Sequence, residues 1–196
     1  MKERIAIFGG SFNPIHLGHI NLAVELYEKL GLDQVWFIPA YLSPHKLGLD
    51  IASATHRLNM LSLALEPYPN FIVRDDEIKR GGPSYSIDTI RSLHSAYPGK
   101  DFFLVLGSDL IKDFHRWRCV KEIFEEVKVV VGDRLDSISG DDYYSLKLKK
   151  CHTKTSVMEV SSTQLRQRIA LGKICNHLLP NKVLDYIHKN HLYCQD

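Results

Sequence analysis

Two histidines stand three residues apart behind a pair of glycines: Phe8 to His19 reads F-G-G-S-F-N-P-I-H-L-G-H, directly after the apolar run Ile5, Ala6, Ile7. The apolar run predicts a buried strand, and the carboxyl end of such a strand is where open α/β sheets bind nucleotides. Gly9 and Gly10 lack the Cβ atoms that hold a backbone away from a phosphate. His16 and His19 are expected to share one face of the following helix, with both imidazoles pointing where an anion would sit. The stretch has neither the Gly-Lys-Ser/Thr ending of a P-loop nor the third glycine of the dinucleotide fingerprint, which argues against P-loop hydrolysis.

A second constellation is V-S-S-T-Q-L-R, Val160 to Arg166. Ser161 and Gln164 have the spacing of a capping box, which satisfies two orphan amides at a helix start. The same segment offers free N–H groups, three hydroxyls and an arginine one turn on, which together make an anion site. Beside the first motif, the anion reading gains weight.

These residues need a scaffold, and the rest of the chain predicts one. Strand-length apolar runs at Ile5 to Phe8, Val35 to Ile38, Phe71 to Arg74, Phe102 to Leu106 and Lys128 to Val131 alternate with helical periodicity. Leu17, Ile20, Val24 and Tyr27 mark one helix, closed by Gly31. Leu58, Leu61 and Leu65 are the expected inward face of another, over His56 to Leu65. Ile87, Ile90, Leu93 and His94 mark a third. After a strand near Val157, two helical segments are predicted over Thr163 to Leu171 and Asn181 to Asn190, with Pro180 starting the second. Such alternation predicts one α/β domain with a Rossmann-like, mainly parallel sheet, helices on both faces, and a C-terminal helical segment over about 162–196. Arg134 to Lys150 fits neither template and reads as a surface excursion; Asp75, Asp76 and Glu77 read as a solvated strand end.

With 196 residues, 44% hydrophobic and 24% charged, the chain can bury a sizeable core and leaves no room for extensive disorder. A net charge of +2 gives no reason to expect nucleic acid as a partner. No apolar stretch approaches the roughly 20 residues needed to span a bilayer, and no signal-peptide pattern is present, so a cytoplasmic protein without a membrane partner is expected. Cys119, Cys151, Cys175 and Cys194 form no C-x-x-C pair and read as reduced structural thiols. His115, His152, His177, His188 and His191 are scattered and carry no assigned chemistry.

The Phe8 to His19 string resembles the GG(S/T)F(D/N)PxHxGH signature of the nucleotidyltransferase superfamily. With V-S-S-T-Q-L-R, and with I-P-A-Y-L-S-P-H-K (Ile38 to Lys46), R-L-N-M-L (Arg57 to Leu61), I-K-R-G-G-P-S-Y-S (Ile78 to Ser86), L-G-S-D (Leu106 to Asp109) and Trp117, nearly the whole chain is similar to the bacterial nicotinate-nucleotide adenylyltransferases. The resemblance implies transfer of the adenylyl group of ATP to nicotinate mononucleotide, with Mg²⁺ bound through the phosphates and no protein metal ligands. It implies His16 and His19 as catalytic contacts to the phosphates. Gly9, Gly10 and Ser11 would bring backbone amides; Ser161, Ser162, Thr163 and Arg166 would hold the β- and γ-phosphates, with Lys46 adding a cation. Gly107 and Asp109 would meet the adenosine ribose. Asn13, His45, Tyr85, Ser86, Trp117 and Arg118 would form the acceptor side, with Trp117 stacked on the pyridine ring.

The residues taken alone keep humbler readings open, with His45 as a turn residue, Trp117 as a core or surface aromatic and Asp109 as a helix cap. Ser86, Arg118 and Ser43 depart from the threonine, tyrosine and proline common at these places in the family, all in or beside the acceptor half. A sister enzyme using nicotinamide mononucleotide or another phosphorylated acceptor, and an ATP-sensing module without turnover, are the competing readings. A monomer or homodimer is expected.

Overall fold

The computed structural model describes residues 2–44, 51–111, 113–133, 143–156 and 158–194, with the backbone alone for Ser108, Asp109 and Asp133. Six parallel strands form one sheet: β1 (Arg4–Gly10), β2 (Gln34–Pro39), β3 (Phe71–Val73), β4 (Asp101–Leu106), β5 (Lys128–Asp133) and β6 (His152–Lys154). Their spatial order is β3-β2-β1-β4-β5-β6, so the winding reverses between β1 and β4. A crevice opens at such a reversal, outside the carboxyl ends of the strands, because the connections leave in opposite directions.

Both faces of the sheet are covered, as the continuous apolar strands demand. Ala6 and Phe8 of β1 point into a core shared with α1 (Leu17–Leu30), α2 (Ala54–Leu65), α8 (Ser162–Ala170) and α9 (Asn181–Lys189). Ile5 and Ile7 point the other way, onto α4 (Ser86–Ala96), α6 (Val120–Glu126) and α7 (Tyr143–Lys150). Two short helices, α3 (Asp76–Arg80) and α5 (Ser108–Ile111), and a 3-10 turn at Phe114–Arg116 complete the connections. None of these helices is long and apolar enough to cross a membrane.

Gly31 ends α1 with φ of 55°, a left-handed conformation that costs glycine nothing. Ile20, Ala23 and Leu26 are the fully buried stripe of α1, while Leu17, Val24 and Tyr27 pack at its margins. In α2 the inward face is Arg57, Met60, Leu61, Ala64 and Leu65, with Leu58 only half-buried.

Three expectations are corrected. Part of the supposed surface excursion, Tyr143–Lys150, is α7, anchored by Leu148 at 2% exposure and by Tyr144 stacked on Phe124 with centroids 6.3 Å apart. The last strand lies at His152–Lys154, short of Val157, which is outside the described residues, as are 134–142. The charge run 75–77 is not simply solvated either: Glu77 is 6% exposed and accepts a hydrogen bond from the Thr89 hydroxyl at 2.6 Å.

Candidate active site

Beyond the carboxyl ends of β1 and β4 lies a cleft of about 520 Å³, lined by Gly9 to Asn13, His16, His19, Gly107 and, from far along the chain, Ser161, Ser162, Thr163 and Arg166. Gly9 faces open space where a Cβ would stand, so nothing bars close approach of a ligand to this backbone. Phe12 is held with φ of 46° and its ring is fully buried, edge-on to Phe8 at 5.6 Å. The core thus fixes the turn from beneath.

Above that anchor the turn is tied laterally. Arg57 reaches it as a buried guanidinium, 2% exposed, donating to the carbonyls of Ser11 (3.0 Å), Ala40 (2.7 Å), Ala52 (3.0 Å) and Tyr41 (3.4 Å). Burial lowers its pKa from the usual guanidinium range, yet arginine titrates so far above neutrality that the charge persists. Asn13 Oδ1 accepts from the Ala52 amide at 3.1 Å and from the Tyr193 hydroxyl at 2.7 Å. Sequence reasoning gave Arg57 no role, since an arginine in an amphipathic helix reads as part of the wet face.

The histidines are arranged differently from expectation. His16 is the residue before α1 and His19 its third, so only His19 lies within the helix, and the two cap each other. His19 N–H donates to His16 Nδ1 at 3.3 Å, and His16 N–H donates to His19 Nδ1 at 3.2 Å. The rings stack with centroids 3.6 Å apart. Because each Nδ1 accepts from a backbone amide, the neutral tautomer of each ring carries its proton on Nε2, a donor of the kind phosphate oxygens accept.

Burial pushes the His16 pKa down from 6.5 to about 4. In the unfolded chain this ring protonates near 6.5, whereas in the folded chain it stays neutral until about 4, so the unfolded state binds the extra proton in between. Stability is therefore lost as pH falls from about 6.5 to about 4, by up to about 3 kcal/mol at about 1.4 kcal/mol per pH unit. Urea unfolding at pH 7 and pH 4.5 measures this; an equal loss in His16→Asn, which keeps a capping side chain, would assign the effect elsewhere.

The second motif meets the first here. Ser161 caps α8, accepting from the Gln164 amide at 3.2 Å. The next hydroxyl, Ser162, donates to Pro14 O at 2.8 Å, and Arg166 donates to Asn13 O at 2.9 Å and to Thr163 Oγ1 at 3.4 Å. Contact between α1 and the strap before α8 is close enough that a Cβ on Gly18 would stand 2.7 Å from Val160 Cγ1. The N-terminus of α8, with its dipole and the Ser162 and Thr163 amides of its first turn, accordingly opens onto the cleft beside the histidines.

The opposite wall is built by Ser84, Tyr85, Ser86, Trp117 and Arg118. Tyr85 precedes α4 without a side-chain cap, so this is a second helix N-terminus facing the cleft. Trp117 is half-buried against Phe114, with centroids 4.9 Å apart. Arg118 lies over the Tyr85 ring at 4.8 Å and 3.6 Å from Asp88 Oδ2, so its charge is shared with a carboxylate. His45, Lys46 and the Asp109 side chain lie outside the described residues.

A cytidylyltransferase-like family model matches residues 7–168, and the nicotinate-nucleotide adenylyltransferase of Bacillus subtilis is 35% identical over 191 residues, covering 97% of this chain and 98% of that one. The chain belongs to the nicotinate-nucleotide adenylyltransferase family. Its fold is that of the Plasmodium falciparum nicotinic acid mononucleotide adenylyltransferase complexed with NaAD, with a TM-score of 0.78 at 20% identity and 97% of each chain covered. The same Plasmodium enzyme complexed with APC gives a TM-score of 0.76. As a family member it is a nucleotidyltransferase, and the cleft at the reversal of its sheet is the candidate active site.

Proposed function

We infer that this protein transfers the adenylyl group of ATP to nicotinate mononucleotide, giving deamido-NAD and pyrophosphate. What carries the reading is the meeting, in one cleft at the sheet reversal, of the Gly9–His19 turn with the Ser161–Arg166 helix start. Polarised donors from two sides suit a polyphosphate. The acceptor's 5′-phosphate oxygen attacks the α-phosphorus, the bond to the β-phosphate oxygen breaks, and the electron pair leaves with pyrophosphate. An acceptor phosphate is already ionised at neutral pH, so no general base is needed.

His16 and His19 offer Nε2–H donors to the α-phosphate and leaving group as charge spreads there. The α8 start with Ser162, Thr163 and Arg166 holds the β- and γ-phosphates, and Lys46 adds a further cation. Gly107 and Asp109 meet the adenosine ribose. ATP enters with a divalent cation, Mg²⁺ in this proposal, which when bound neutralises phosphate charge. Among the described residues no group of three or more His, Cys, Asp or Glu side chains could hold a metal.

On the acceptor side Trp117 stacks on the pyridine ring, with Asn13, His45 and Tyr85 around it, and the uncapped start of α4 at Ser86 receives the carboxylate. The electrostatics favour those amides over Arg118 as the selector. Arg118 is 56% exposed and already close to Asp88, and such surface pairs are worth about 0 to 1 kcal/mol. A carboxylate accepting backbone N–H bonds gains about 1.5 to 3 kcal/mol, against about 0.5 to 1.5 kcal/mol for the carbonyl of the neutral amide substrate. Pyrophosphate release with each acceptor should therefore show kcat/KM for nicotinate mononucleotide at least ~10-fold above that for nicotinamide mononucleotide. Arg118→Ala should keep most of that ratio. Equal activity on both acceptors would sink the acid-selective assignment, and no turnover with any acceptor would sink the enzymatic one.

A further inference from the structure

The Ser11–Asn13 turn is gripped by α8 through its carbonyls and by Arg57 and Ala52 from the α2 side, and a third grip comes from a place the chemistry does not require. Beyond α9 the chain turns back with Leu192 N–H bonded to Ile187 O at 3.0 Å, His191 at φ of 50° and Tyr193 at φ of 63°. These left-handed residues cost energy unless the surroundings compensate. Here the turn seats Leu192 and Tyr193 against the core and delivers the Tyr193 hydroxyl to Asn13 Oδ1 at 2.7 Å, across 180 residues of sequence.

We propose that Tyr193 is a positioning residue for adenylyl transfer, holding the Ser11–Asn13 turn in its phosphate-binding shape through Asn13. The proposal rests on the function inferred above. Tyr193 works on Asn13 while the Asn13 carbonyl holds Arg166 and the next carbonyl holds Ser162. Loss of the hydroxyl therefore loosens the one segment that both halves of the triphosphate site share. The ring keeps its packing in Tyr193→Phe, so the fold itself is spared.

The test is Tyr193→Phe assayed by pyrophosphate release at 25 °C, with amide hydrogen exchange of the substrate-free protein as a second readout. We expect kcat to fall roughly 10-fold, the scale of one hydrogen bond, with both KM values within about 2-fold. Exchange at Ser11, Phe12, Asn13 and His16 should quicken at least about 5-fold while Ile20 to Leu30 keeps its protection. His191→Asn, an exposed change in the same turn to a residue that tolerates positive φ, should match wild type in both readouts. The proposal is overturned if kcat is unchanged, if its fall only tracks a loss of folded protein, or if the Ser11–His16 amides exchange as in wild type. Should the wild-type protein itself turn over no acceptor, the functional reading fails and the exchange data alone decide the role of Tyr193.

Discussion

Replacing His19 by alanine is expected to lower kcat for adenylyl transfer by about 10²-fold or more, the scale of one preorganised donor to developing charge. A donor at Nε2 contributes most when the pyrophosphate is departing, so kcat should fall further than KM for ATP rises. The structure adds a second consequence that the sequence concealed. His19 Nδ1 accepts the His16 amide and His16 Nδ1 accepts the His19 amide, so either alanine variant also loses a cap at the start of α1. Such caps are worth about 1 kcal/mol, or about 2 to 4 °C in a domain of this size. Stability should therefore show a small, measurable drop, larger for His16, which is 6% exposed. A folded His19→Ala protein with kcat within 3-fold of wild type would remove this histidine from the chemistry.

The two motifs were legible because each is local. A strand running into G-G-S-F-N-P, and serines ahead of an amphipathic helix, state their backbone requirements within a dozen residues. Alternation of apolar runs with helical periodicity likewise predicts parallel, double-sided layering without any long-range information. What the sequence withheld was contact across distance. Nothing near Arg57 in sequence announces that four carbonyls from the 11, 40, 41 and 52 positions converge on it, and nothing near Tyr193 points to Asn13. Elements with little apolar signal failed for the same reason in reverse. Strand β6 is His-Thr-Lys, placed by backbone pairing to β5 and a Lys29 bond to the Lys154 carbonyl, and α7 buries one leucine fully, with Tyr144 at the margin. On the acceptor side, Arg118 reads as a charge awaiting a substrate, and only the fold reveals Asp88 beside it.

Arg57→Ala is expected to destabilise the protein by at least about 3 kcal/mol, lowering Tm by roughly 6 to 12 °C in a domain of this size. Three effects add. The substitution empties a fully buried volume, and large-to-small changes in a core cost about 2 to 5 kcal/mol by themselves. It also strips a charged donor from four carbonyls, and hydrogen bonds to charged groups net about 1.5 to 3 kcal/mol each when not shared. Partial entry of water offsets some of this, which keeps the expected total near the lower figure. Finally, Ser11 and Ala40 lose the bridge that holds β1's exit against β2's, so catalysis should weaken even in the fraction that stays folded. Arg57→Lys separates these effects: it keeps the charge and most of the volume but cannot fork between carbonyls. Its Tm should recover at least half the loss, while kcat/KM for ATP stays several-fold below wild type because the turn is held at fewer points. Thermal unfolding and initial rates on the three proteins decide it, and an Arg57→Ala protein melting within about 2 °C of wild type would show that the carbonyls around the turn need no buried cation.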